Sequence, residues 1–215
     1  MNADQVATLR ALLAPTGWVE RTSAFAHALR RSARTPSGLL IFGPAGDEPW
    51  HMTAHLADES EYAGIPELAP TLVRWAPEPG APPHLSVGLS RLAAASPRET
   101  LLVVSRGIAP DRLLERVHDV RRSGATVFAI DQDDAELDEL AHESLQVSPS
   151  IAPISFEAAQ HLVTAAVSDV TAAGPLSDTI QRAAWSARGP AAGVGRGMRA
   201  RLARLLDTVT GTPED

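Results

Sequence analysis

Short apolar runs alternate with stretches of helical spacing along most of this chain. Apolar positions at helical intervals predict helices over residues 3–14 (Val6, Leu9, Leu12, Leu13) and 18–33 (Trp18, Phe25, Leu29), parted by Pro15 and Gly17. Beyond them the pattern becomes a series of compact apolar runs. Gly38–Phe42, Thr71–Trp75, Thr100–Val104, Ala125–Ile130 and Ser144–Val147 are the predicted strands. Helices are predicted between them over 49–63, 84–95, 110–123 and 135–141, with a long closing helix over 156–172. Strands that are apolar on both faces and separated by helices belong to a parallel sheet covered on both sides. Right-handed crossovers then give three layers. The expected fold is α/β: a doubly wound three-layer sandwich around a parallel sheet of about five strands, with N-terminal helices and a C-terminal helical tail. Ligands in such folds bind beyond the carboxyl ends of the strands, which singles out the loops after Phe42, Trp75, Val104 and Ile130.

Composition narrows the chemistry. The 215 residues include no cysteine, which excludes disulfides, thiolate metal sites and cysteine nucleophiles. No run of about 18 apolar residues is present, and Met1–Leu13 carries Asp4 and Arg10 where a signal peptide would be apolar. A cytoplasmic location with no membrane contact is expected. The net charge of -7 argues against a dedicated nucleic-acid binder. Basic charge gathers in the tail: Arg182, Arg188, Arg196, Arg199, Arg201 and Arg204 meet no acid between Asp178 and Asp207. Residues 1–173 therefore read as the α/β domain and 174–215 as an Arg-rich extension of two short helices around a glycine joint, suited to docking a protein partner.

Several constellations carry candidate chemistry. His51 and His55 stand four apart on a predicted helix, with Asp58 and Glu59 one turn on. No metal is expected: no glutamate follows His51 as in the metalloprotease pattern, and a plain polar helix face is the favoured reading, with His51 and His55 the candidates only should a metal bind. Asp131, Asp133 and Asp134 follow the fourth strand and read as helix caps before ribose or cation ligands. Trp50, Trp75 and Trp185 read as packing groups. No motif calls for a cofactor.

Residues 38–172 resemble a sugar isomerase (SIS) domain. The likeness rests on Thr100–Ser105, Pro110-Asp111 opening a helix, Arg121–Val127 leading to Ile130, Leu137–Ala141, His142–Val147 and the closing helix. The resemblance implies a dimer that binds phosphosugars, to isomerise aldose and ketose or to sense them. Such domains carry a phosphate loop of the form S-x-S-G-x-T-P-E after the third strand. Here the segment Ser105–Asp111 is one residue short, and Ala109 stands where the threonine would be. A helix N-terminus holds an anion through free N–H groups aided by a cap hydroxyl. Ala109 has no hydroxyl and Pro110 has no N–H. The ligand-binding candidates that remain are Gly43 and Gly46 in the first loop and Ser105, Arg106 and Gly107 in the second. Asp47 and Glu48 in the first loop would compete with a bound phosphate. By the same resemblance Glu157 and His161 are the candidates for proton transfer, which needs a group titrating near neutrality. The expected function is a non-catalytic or weakly ligand-binding SIS-like module, a sugar-phosphate sensor or a dimerising interaction protein. The alternative is an active phosphosugar isomerase.

Overall fold

The structure is a computed structural model and describes residues 3–148 and 154–168. The Arg-rich tail, Trp185 and residues 169–172 of the expected closing helix lie outside the described residues. Two helices come first, α1 (Ala3–Leu13) and α2 (Trp18–Ser32). Then β1 (Leu39–Phe42), α3 (Trp50–Ala63), β2 (Pro70–Leu72), α4 (Ser90–Ala93), β3 (Thr100–Ser105), α5 (Asp111–Arg122), β4 (Thr126–Asp131), α6 (Ala135–Leu140), β5 (Glu143–Gln146) and α7 (Phe156–Val167) follow. Among the described residues no helix is long and apolar enough to cross a membrane.

All five strands are parallel, in the order β2-β1-β3-β4-β5. Leu39 lies opposite Pro70 on one side and Thr100 on the other; Thr100 lies opposite Thr126, and Phe128 opposite Glu143. Alternate residues of β1 serve two cores, which is why the run is apolar throughout. Leu39 and Ile41 pack with Phe25, Leu29, Met52, Leu56, Phe156 and Leu162 beneath α2, α3 and α7. Leu40 and Phe42 pack with Leu92, Leu113, Val117 and Leu137 beneath α4, α5 and α6. The helix after β1 therefore covers one face, and the helices after β2, β3 and β4 cover the other. The reversal puts the topological switch point between β1 and β3.

Two expectations need correction. The helix expected over 84–95 is a single turn at Pro83–Leu85 followed by the short α4. Between them the chain runs beside the end of β2, where Gly88 faces Arg74 and Arg74 N–H donates to Val87 O at 2.9 Å. Edge pairing took residues that local spacing assigned to a helix. The second strand ends at Leu72, so Trp75 does not end it. Trp75 folds over instead, its ring 5.1 Å from that of Phe42.

Candidate functional site

The loops after β1 and β3 flank the switch point. Gly43 is required there: a Cβ would lie 2.7 Å from Val104 O and 2.8 Å from Pro49 Cδ, so only glycine lets the first loop cross β3 this closely. Its carbonyl accepts from Trp75 Nε1 at 2.7 Å. Glu48 turns away from the crevice, accepting from Arg74 Nε at 2.9 Å and Trp75 N–H at 3.1 Å. Its carboxylate is thus paired and fastens the loop to the residues after β2. Gly46 meets no such crowding. In the second loop Gly107 takes φ 83, a conformation that favours glycine. Ser105 is fully buried and its hydroxyl points to Gly107 O at 3.4 Å.

Arg106 is already engaged. It pairs with Glu157 at the start of α7 and lies 3.6 Å from Asp47 of the first loop, with its guanidinium 5.4 Å from the Phe156 ring centre. The hydrogen bond from Arg106 holds the Glu157 carboxyl below the usual carboxylate range. One arginine thus ties the first loop, the second loop and α7 together, within a triad of net charge -1.

One backbone donor in the loop before α5 is taken by the protein itself. Ala109 N–H donates to Asp134 Oδ2 at 2.6 Å, while Asp134 Oδ1 accepts from Glu136 N–H at 3.0 Å and Leu137 N–H at 3.1 Å. Ala109 is 1% exposed, so no hydroxyl could be added there without crowding the core. The capping expected of the aspartates falls to Asp134. Asp131 is different: it is fully buried, its Oδ1 accepts from Asp134 N–H at 3.0 Å, and its Oδ2 has no partner among the described residues. Burial pushes its carboxyl up to about 6. An unfolded aspartate ionises near pH 4, so between about pH 4 and 6 the unfolded chain releases a proton that the folded one keeps. Stability from this group is therefore full below pH 4 and falls as pH rises toward 6. Asp131→Asn, which mimics the protonated acid, should match wild type at pH 4 and exceed it by about 2–3 kcal/mol at pH 7 in urea denaturation. Equal stabilities of variant and wild type at both pH values would show that burial does not raise the Asp131 carboxyl above its unfolded value.

The densest constellation lies on the α2–α3–α7 face. His51 and His55 of α3 meet His161 of α7, with ring centres 4.6, 4.8 and 4.7 Å apart. One nitrogen from each lies within 4.8 Å of the others. His51 Nε2 and His161 Nε2 are 3.1 Å apart, and among the described residues no other hydrogen bond to these rings is found. Two nitrogens each ~2.05 Å from a tetrahedral ion would be ~3.3 Å apart, so this pair already has nearly the spacing that a shared metal requires. The third nitrogen, from His55, lies within 4.8 Å of the other two. Burial, ahead of nearby positive charge, pushes His161 down to about 4, and burial followed by the His51 charge lowers His55. His161 is thereby held neutral, as a metal ligand must be. His161 was legible as a candidate only through the family likeness and for another role. Its place beside His51 and His55 depends on α7 crossing back from β5 to pack on α3.

No family model matches the chain, and no curated protein matches it. Among solved structures it is similar to the sugar isomerase domain of an RpiR transcription factor from Sphaerobacter thermophilus. That match has 15% identity and a TM-score of 0.43, and covers 66% of this chain and 76% of that one. It is also similar to a candidate sugar-phosphate isomerase from Listeria monocytogenes at 11% identity and a TM-score of 0.41, covering 85% and 93% of the two chains. A candidate phosphosugar isomerase from Salmonella typhimurium shares 9% identity at a TM-score of 0.46 over 75% of this chain, which spans 46% of that protein. The α/β assignment stands on the strand order and register of the chain itself.

Proposed function

We propose that this chain is a SIS-like ligand-binding module whose crevice is organised around a divalent transition-metal ion held by His51, His55 and His161. The meeting of three imidazoles from α3 and α7 carries the reading. Three neutral nitrogen donors suit zinc and its neighbours in the first transition row, and leave at least one position open to water or to a ligand oxygen. The loops favour binding over isomerisation. Ala109 N–H and Arg106 both serve internal carboxylates, which weakens any hold on a phosphate. Glu157 is kept ionised and paired, and His161 titrates far below neutrality, so neither matches a proton shuttle at pH 7. The module accordingly binds a small hydroxylated or phosphorylated ligand, with the metal supplying the positive charge that the loops lack.

Equilibrium dialysis against zinc at pH 7.5 should load one ion per chain, and His51→Ala/His55→Ala should load none. Glucose 6-phosphate should be retained by the zinc-loaded protein and not by the metal-free protein. Failure to load zinc at micromolar concentration would remove the metal from this reading. Aldose–ketose turnover by the loaded protein would put the isomerase alternative first.

A further inference from the structure

Glu157 lies one turn before His161 on α7, at the four-residue spacing that brings side chains together on one face. It pairs with Arg106 and stands on the same helix face as His161, a member of the three-histidine cluster, without itself being one of the cluster's grouped ligands. Arg106 in turn reaches Asp47, so all charged side chains of this arrangement converge on one guanidinium. We propose that Arg106 is a latch coupling anion binding to metal binding: a doubly charged tetrahedral oxyanion in the crevice draws Arg106 from Glu157, and the released carboxylate strengthens the hold of the neighbouring histidines on a metal ion.

The inference rests on the metal reading above and extends it to the regulation of that site. Three physical facts give its sign. The triad of Asp47, Arg106 and Glu157 carries net charge -1, so an oxyanion approaching the metal-free crevice is repelled. A dication at His161, one helical turn from Glu157, reverses that local sign. Conversely, Glu157 paired with Arg106 is neutralised, whereas Glu157 released from it adds a full negative charge one helical turn from the ion. Each ligand thus improves the site for the other, and linkage requires the two enhancements to be equal. The ion pair is about half exposed, with both side chains at 47%, so its strength is modest and a competing anion can break it. Asp47 at the tip of the first loop would follow Arg106, which makes that loop the moving part.

Cobalt(II) is the probe, since its visible spectrum reports ligand number and type without turnover. The whole chain is titrated with cobalt in chloride, in sulfate at matched ionic strength, and in glucose 6-phosphate. The expected result is an affinity at least about fivefold higher with either oxyanion than with chloride, together with a changed cobalt spectrum. Arg106→Ala should bind cobalt with no response to sulfate. Glu157→Gln should bind sulfate more readily while losing the sulfate-induced change in the cobalt spectrum. A response to glucose 6-phosphate alone would assign the site to phosphate esters; a response to both assigns it to the oxyanion group they share. Cobalt binding of equal strength in chloride, sulfate and glucose 6-phosphate would overturn the latch and leave the metal site standing. An equal sulfate effect in wild type and Arg106→Ala would overturn it too. Absence of cobalt binding would sink the metal reading and the latch together.

Discussion

Replacing His161 by leucine is expected to raise the melting temperature of the metal-free protein and to erase its stabilisation by zinc. His161 is 8% exposed on the inner face of α7, in a stretch of helix that also buries Phe156, Leu162 and Val163, and among the described residues its ring nitrogen hydrogen-bonds only to His51. A buried polar ring satisfied by nothing but another imidazole is a liability without a ligand, and an apolar side chain of similar size removes it. His51 is exposed and can turn to water once its partner is gone. The expected gain in the metal-free state is about 1 kcal/mol. Zinc at about 100 times its Kd stabilises the wild type by about 2.7 kcal/mol, or about 5–10 °C for a domain of this size. His161→Leu keeps only two ligands and should show little of that shift. Scanning calorimetry in a chelator and in zinc reads both effects. A variant that melts lower than wild type in chelator and still responds to zinc would show that His161 serves packing and not metal.

Replacing Asp134 by alanine is expected to cost about 3–5 kcal/mol of stability. Its carboxylate accepts from three backbone N–H groups, two at the start of α6 and one, Ala109 N–H, in the loop before α5. Loss of the α6 cap alone costs about 1 kcal/mol. Ala109 N–H is buried, and stranding it adds about 1–3 kcal/mol, with more lost because the acceptor is charged. Asp134→Asn keeps one oxygen, serving either α6 or Ala109 but not both, and should fall between wild type and Asp134→Ala. Urea denaturation with an unchanged slope against denaturant would give these differences directly. A loss below about 1 kcal/mol for Asp134→Ala would mean that water replaces the carboxylate at both sites. The same substitution leaves the Ala109 N–H without its carboxylate acceptor.

The elements legible in the sequence were those whose local pattern coincides with their final surroundings. Leu39–Phe42 is apolar at every position and Thr100–Ser105 at its four central ones because both faces are covered, so period and burial agree. Asp111–Arg122 shows a clear helical stripe because Leu113, Leu114, Val117 and Val120 are its only buried residues. The residues around Gly88 misled because their pairing with Arg74 comes from another part of the chain, and local spacing carries no trace of it. Glu48 and Arg106 were placed in the right loops, yet their partners were not legible: Arg74 and Trp75 for one, Asp47 and Glu157 for the other.

By itself, the sequence determined a parallel α/β sheet, two loops at its switch point, and a second loop poor in hydroxyls, because each is a property of neighbouring residues. Only the tertiary structure decided that Asp134 occupies the Ala109 amide, that Arg106 is shared by two carboxylates, and that His161 joins His51 and His55. Those pairs are 25, 51 and 110 residues apart in the chain. What unites them is the packing of α7 on α3 and the alignment of strand ends at one edge, set by burial of both sheet faces and not by any local preference.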